Sequence, residues 1–270
     1  MSMLPNYLII GAARCGTSWL AKNLQLHPDI YMAECKEVHF FDQNYEKGIS
    51  WYEEIFKGRT EKAIGEATPA YLYFEHIPQL IYGHMPHVKL ILSLRNPVER
   101  AYSHYMNLIA KARKGDPNYG ISFEKKIAVT PRLITEGLYV DKLERYFSLF
   151  PRENFLIVLY DDLKKDPSLF LQSVYSFLGV DHQFESPLMD NRINAAQTKL
   201  GKNRLLYLAY RASMSLGWYK IGKGFDRINR SELPCMSVKT KKMLLDSYYD
   251  AEISKLEKIL GRDLSEWKRI

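Results

Sequence analysis

An α/β chain with a central parallel sheet flanked by helices is what the sequence predicts, on two observations. Short apolar runs at 7–10, 63–66, 89–94 and 155–159 alternate with longer stretches whose apolar residues recur at helical spacing. Alternating strands and helices of this kind build a parallel sheet with helical crossovers. The first run also enters its helix through a loop flanked by two glycines, the geometry of a strand-to-helix phosphate cradle.

That first strand is Tyr7-Leu8-Ile9-Ile10, and a helix is expected from Trp19 to Leu26. Between them lies Gly11-Ala12-Ala13-Arg14-Cys15-Gly16-Thr17-Ser18. Such a loop aims unpaired backbone N–H groups at one point, with the helix dipole behind them. Glycine is needed where the chain turns tightly and where its backbone must approach the anion. The expected fold is therefore P-loop-like, a three-layer arrangement of helices, sheet and helices. Nucleotide triphosphatases need Gly-Lys-[Ser/Thr] here, with the lysine on the β- and γ-phosphates and the hydroxyl on magnesium. Thr17 occupies the lysine position, and the basic group is Arg14 inside the loop. The expectation is an anion grip without ATP hydrolysis; a tight turn that binds nothing has the same glycine spacing.

His27-Pro28-Asp29 ends the first helix, and the chain runs into Glu34-Cys35-Lys36-Glu37-Val38-His39-Phe40-Phe41-Asp42. A glutamate two positions from a histidine, among bulky apolar groups, is a candidate general base. Glu37 and His39 both stand as candidates; a solvated surface glutamate is the plain alternative. Ala63-Ile64-Gly65-Glu66 reads as a short strand closed by Ala67-Thr68-Pro69-Ala70-Tyr71, where Pro69 biases Thr68 toward an extended conformation. Loops at the ends of parallel strands are where open sheets place their ligands.

Lys89–Leu94 reads as a strong strand, and Arg95-Asn96-Pro97-Val98-Glu99-Arg100 announces a helix. Asn96 is the expected N-cap, Pro97 the first helical residue, and Glu99 the closing member of a capping box. Arg95 then sits at the carboxyl end of a strand, with Ser103 about two turns into the helix. The rigid guanidinium fork matches phosphate, so Arg95 is read as an anion ligand, against a purely salt-bridged role. Residues 111–136 contain Gly115, Pro117, Gly120 and Pro131 and are expected to be an irregular insertion, a substrate-side lid. A helix from Gly137 to Phe150 and a strand at Phe155–Leu159 follow. Asp166-Pro167 caps a helix ended by Gly179, and Val238–Leu260 forms the last helix, ended by Gly261.

The 270 residues contain no linker-like or repeated stretch and are read as a single domain, 1–270, with 46% hydrophobic residues to fill its core. No apolar run approaches the roughly 18 residues of a membrane span. Met1 stands too close to the first strand for a cleaved signal peptide. Three cysteines, Cys15, Cys35 and Cys235, form no paired framework; with Asn229-Arg230-Ser231 read as a chance glycosylation triplet, the expected location is cytoplasmic. The net charge of +7 gathers in Lys111-Ala112-Arg113-Lys114, Lys199-Leu200-Gly201-Lys202-Asn203-Arg204 and Lys239-Thr240-Lys241-Lys242. Such clusters attract anions or are merely solvated. None belongs to a nucleic-acid module, so no nucleic-acid partner is expected. His84 and His87 lack a third ligand and Pro86 separates them, so no metal site is expected.

Taken together, these motifs resemble the sulfotransferases that use 3′-phosphoadenosine 5′-phosphosulfate (PAPS), in particular the heparan sulfate sulfotransferases and their soluble bacterial relatives. The resemblance runs from Tyr7 to about Gly179 and more loosely to Leu260 and Gly261–Trp267. It is carried by the Gly11–Ser18 loop, His27-Pro28-Asp29, Lys36–Asp42, Thr68-Pro69-Ala70-Tyr71 and Arg95-Asn96-Pro97 with Glu99, Arg100 and Ser103. By that resemblance Arg14, Gly16, Thr17 and Ser18, with Cys15 and Trp19 beside them, would hold the 5′-phosphosulfate. Arg95 and Ser103 would hold the 3′-phosphate, and Lys199 or Lys202 would cover the nucleotide. Glu37 falls on the family's general base, with His39 adjacent.

Two departures stand out: Arg14 replaces the usual loop lysine, and Ala67 replaces a second lysine found in many heparan sulfate enzymes. The implied reaction is in-line sulfuryl transfer from PAPS, without a metal, releasing PAP. The acceptor is expected to be a hydroxyl or amine on a carbohydrate, glycolipid or small natural product. Relatives in animals are Golgi-anchored; the missing anchor implies a bacterial-type enzyme, with peripheral membrane contact if its acceptor is a lipid. A P-loop kinase and a non-catalytic nucleotide- or polyanion-binding protein are the alternatives.

Overall fold

The computed structural model describes residues 3–35, 37–111, 121–190, 199–201, 204–232 and 236–270. Its centre is a five-stranded sheet of β1 (Tyr7–Gly11), β2 (Ile30–Met32), β3 (Ala63–Ala67), β4 (Lys89–Leu94) and β5 (Phe155–Leu159). Their order is β2-β3-β1-β4-β5 and every pairing is parallel, with Tyr7 opposite both Gly65 and Lys89. The helices follow in chain order. After β1 comes α1 (Thr17–Leu24); α2 (Phe40–Gln43) and α3 (Ile49–Glu54) precede β3, and α4 (Ile77–His84) precedes β4. Between β4 and β5 lie α5 (Pro97–Lys111), α6 (Phe123–Val129), α7 (Arg132–Thr135) and α8 (Val140–Phe147). After β5 come α9 (Tyr160–Lys165) and α10 (Pro167–Leu178). An antiparallel ribbon of β6 (Lys199–Gly201) and β7 (Arg230–Glu232) brackets α11 (Arg204–Ser215) and α12 (Tyr219–Asn229). Last come α13 (Val238–Leu244) and α14 (Asp250–Leu260), joined by a π-helical turn at Leu245–Tyr249.

Side-chain alternation along the strands builds two cores. Leu8, Ile10, Leu90, Leu92 and Leu94 face one layer, which includes Tyr105, Leu143 and Tyr249. Tyr7, Ile9, Ile91 and Val158 face the other, against Trp19, Leu24, Phe170 and Val174. Both faces of the sheet are covered, as a parallel sheet requires, so the expected three layers are present. Gly65 in β3 has no side chain because Tyr7 leaves no room: a Cβ there would lie 2.3 Å from the Tyr7 carbonyl oxygen.

The chain runs outward from β1 to the edge strand β2, turns back through β3 and crosses β1 to reach β4, leaving β1 flanked on both sides. Consequently the loops after β1, β3 and β4 emerge at one edge, where open α/β sheets bind ligands. The helix at Pro97 starts as its sequence predicts, with Asn96 Oδ1 accepting from Val98 N at 3.0 Å. Glu99, however, does not close the box; its carboxylate takes Arg95, at 2.9 Å from Nη2. The chain's final turn locks this region from behind. Asn96 Nδ2 donates to the Trp267 carbonyl and Trp267 Nε1 donates to Asp161, at 2.9 and 2.8 Å.

Other expectations need correction. The described part of 111–136 is not irregular: α6 and α7 bury Phe123, Ile127, Leu133 and Ile134. Fully buried Arg100 of α5 ties them down by donating to the Leu133 carbonyl and to Glu136. This stretch is core and cleft wall, not a lid; residues 112–120 lie outside the described residues. Neither β2, only three residues long, nor the helices at 40–54, 77–84 and 204–229 were legible beforehand. Among the described residues no helix is long and apolar enough to cross a membrane.

Candidate active site

The loop after β1 is shaped from outside. Ala13 N donates to the Tyr73 hydroxyl at 2.8 Å, and the Ser93 hydroxyl donates to the Cys15 carbonyl at 2.6 Å. Gly16 takes φ 90° beneath α9, where a Cβ would stand 3.0 Å from Leu163 and 3.1 Å from Tyr160. Helix α1 then begins without a side-chain cap, so its first-turn N–H groups stay open to an anion. Cys15 and Trp19 point the other way. The Cys15 thiol is buried against the Tyr139 hydroxyl, and burial pushes its pKa up to about 11. Trp19 packs on Phe170 with ring centres 6.0 Å apart. What Trp19 can offer an anion is its backbone N–H; the Cys15 N–H already donates to the Ala12 carbonyl at 3.2 Å.

Two arginines meet at the carboxyl edge. Arg14 Nε approaches the Ser103 hydroxyl at 3.4 Å. Burial, and then the nearby Arg95 charge, lower its pKa from the ordinary guanidinium value. Arg95 lies over the Tyr160 ring, 4.6 Å from its centre, and the Tyr139 hydroxyl donates to its carbonyl at 2.9 Å. Glu99 pairs with Arg95, whereas among the described residues no carboxylate pairs with Arg14. Two guanidiniums with one carboxylate between them make a positive edge suited to a bound anion; Arg14 lines a cleft here, whereas Arg95 and Ser103 are not among its lining residues. Lys199 contributes only a described backbone, in β6, and Lys202 lies outside the described residues.

Glu37 lines the same cleft as Arg14. Its Oε2 lies 3.4 Å from His39 Nε2, while His39 Nδ1 lies 2.8 Å from Asp42 Oδ2. The Asp42 side chain is almost fully buried. An imidazole held by Asp42 at Nδ1 turns its Nε2 toward Glu37. The loop carrying this chain is fixed from β3. The hydroxyls of Thr68, Tyr71 and Tyr52 donate to fully buried Glu66, at 2.6, 2.7 and 3.1 Å. Thr68 and Tyr71 in turn accept from His39 N at 3.3 Å and Phe40 N at 2.9 Å.

Burial holds the Glu66 carboxyl above its ordinary pKa, against the hydrogen bonds that lower it. Below that ordinary value, near 4.5, folded and unfolded chains are both protonated at Glu66. Above it the unfolded chain releases the proton first, so stability falls as pH rises through the folded-state pKa. Melting curves across that range should show the unchanged protein losing Tm relative to Glu66→Gln as pH rises. Parallel pH profiles would contradict this.

Arg14, Thr17, Ser18, Glu37 and Asp42 all open on one cleft of about 1010 Å³. Further walls are Tyr73 and Phe74, then His104 and Asn107 of α5, and then Arg132, Glu136, Lys142 and Arg145. None of these further residues was singled out from the sequence. Lys142 and Arg145 share a turn of an amphipathic helix, the signal that could have found them. Among the described residues, those other than glycine with positive φ are Arg14 (71°), Glu37 (66°) and His39 (54°). Such conformations cost roughly 1–3 kcal/mol each and collect at functional sites; here Arg14 and Glu37 line this cleft and His39 stands against Glu37. Ala67 is buried at the end of β3, so no ammonium stands there.

Comparison with known proteins gives the same direction. The family model of the sulfotransferase domain matches residues 4–227. Heparan sulfate glucosamine 3-O-sulfotransferase 6 of Mus musculus is 34% identical over 65% of this chain and 52% of its own length. Heparan sulfate glucosamine 3-O-sulfotransferase 5 of Mus musculus is 36% identical over 67% of this chain and 55% of its own. The chain thus spans about half the length of the curated relatives it matches. A crystal structure of a sulfotransferase from Alicyclobacillus acidocaldarius superposes with TM-score 0.73, at 27% identity, over 99% of this chain and 100% of that one.

Proposed function

The chain belongs to the sulfotransferase domain family, and from that premise we propose that it moves a sulfuryl group from PAPS to a hydroxyl of a carbohydrate acceptor. The supporting observation is the cleft onto which a positive, uncapped strand–helix loop and Glu37 both open. Those residues fit the donor. Arg14, the N–H groups at Gly16–Ser18 and the Ser18 hydroxyl would hold the 5′-phosphosulfate; Arg95 and Ser103 would hold the 3′-phosphate. The 3.4 Å approach of Arg14 to Ser103 supports a reading in which the two anchors adjoin.

In this reading Glu37 removes the acceptor proton as the new O–S bond forms and the bond to the 5′-phosphate breaks. Arg14 and the loop N–H groups carry the charge that collects on the departing phosphate, where preorganised donors act most strongly. His39 and Asp42 orient Glu37. Arg132, Lys142 and Arg145, which also line the cleft, suit an acceptor bearing carboxylate or sulfate groups, an acidic glycan.

Radiolabelled PAPS with acidic and neutral oligosaccharides tests the reaction, and calorimetry with adenosine 3′,5′-bisphosphate tests the donor site. Arg95→Ala should weaken the bisphosphate by about 1.5–3 kcal/mol, the range for a charge-assisted hydrogen bond, and barely affect 5′-AMP. Equal losses for both nucleotides would move the 3′-phosphate elsewhere. Indifference of the unchanged chain to the bisphosphate would overturn the donor assignment, and magnesium-dependent ATP turnover would point to a kinase.

A further inference from the structure

Helices α11 and α12, between the strands of the β6–β7 ribbon, form a hairpin with an apolar tip. Gly217 takes φ 76° and Trp218 N donates to the Ser213 carbonyl at 2.8 Å, so the chain reverses within Leu216-Gly217-Trp218-Tyr219. Just below, the helices touch closely. Ser213 is buried, and a Cβ on Gly222 would lie 3.0 Å from its hydroxyl. That contact leaves no space for the turn's side chains to fold inward. Leu216, Trp218 and Tyr219 accordingly project outward, 62%, 57% and 60% exposed. Leu208 and Ala212 extend the exposed apolar line along α11 at four-residue spacing, and Ile221 follows Trp218 by three on α12.

The charge around this tip has one sign. Residues 205–225 contain Arg211, Lys220 and Lys223, all exposed, and no aspartate or glutamate. Tryptophan and tyrosine at a turn, with basic residues a few positions away, match the layering of a bilayer surface. Rings settle at headgroup depth while cations meet lipid phosphates. We propose that this hairpin docks on an anionic lipid bilayer, with Leu216, Trp218 and Tyr219 entering the headgroup layer and Arg211, Lys220 and Lys223 facing the phosphates. Strand β6, at the base of the hairpin, packs against α5, the helix that carries Ser103 and the cleft residues His104 and Asn107.

Co-sedimentation of the full chain with vesicles tests this. Phosphatidylcholine vesicles containing phosphatidylglycerol should bind on the order of 100-fold more tightly than phosphatidylcholine alone, given three basic side chains at the surface. The preference should fall with added salt. Leu216→Ser with Trp218→Ser should cost about tenfold or more, and glutamate at 211, 220 and 223 should abolish the preference. Calorimetry with adenosine 3′,5′-bisphosphate checks that the variants stay folded. Absence of binding to the anionic vesicles at low salt would overturn the proposal, as would undiminished binding by the serine variant. A dimer that dissociates on those substitutions would reassign the tip to a second copy of the chain.

Discussion

Glu37→Gln is expected to lower turnover by roughly 10²–10⁴-fold, the usual worth of a positioned general base, while adenosine 3′,5′-bisphosphate binds nearly as before. The substitution keeps the side chain's size and removes only its basicity. Glu37 Oε2 stands 3.4 Å from His39 Nε2, and the substitution leaves the donor's proposed anchors, Arg14, Ser18, Arg95 and Ser103, in place. Transfer of label from PAPS and calorimetric titration of the product nucleotide, run on one preparation, separate the two effects. Retained turnover would shift the base to His39. A parallel loss of nucleotide affinity would mean that Glu37 shapes the donor site instead.

Arg14→Ala is expected to cost about 10²–10³ in turnover, the range for losing one preorganised donor to a developing oxyanion. Its guanidinium is more than half enclosed, stands near Arg95 and, among the described residues, has no carboxylate partner. A cation kept in that position is repelled by its neighbour until an anion arrives, so its removal should also weaken bisphosphate binding. Arg14→Lys should recover much of the loss, because the charge returns even though the fork geometry does not. Rates for the three proteins at saturating PAPS separate the effects. An alanine variant as fast as the parent would remove Arg14 from the chemistry.

Much of the sheet was legible because buried parallel strands are nearly continuous apolar runs. Tyr7–Ile10, Lys89–Leu94 and Phe155–Leu159 announce themselves in that way, and Asn96-Pro97 marks a helix start by local capping chemistry. β2 escaped because three residues hold too little pattern, and its partner is far away in the chain, Ile30 opposite Ala63. Glu99 illustrates the limit of a local rule. Its spacing fits a capping box, yet a guanidinium at 2.9 Å outcompetes a backbone N–H for the carboxylate. The stretch 111–136 reads as a loop from its prolines and glycines, yet within it α6 and α7 form, and buried Arg100 finds its carbonyl and carboxylate partners at Leu133 and Glu136.

The sequence alone determined the parallel α/β scaffold, the anion loop and the motifs that mark the family, because these depend on residues adjacent in the chain. It could not determine what holds the loop's left-handed residues in place. Glu66, a short β-strand glutamate by local pattern, is at the centre of three hydroxyls, two of which hold the backbone of His39 and Phe40. Likewise Tyr73 reaches Ala13 across 60 positions of sequence. Hydrogen bonds between distant segments have no periodicity to betray them; they exist only once β1 and β3 lie side by side, so the tertiary structure alone decided the cleft.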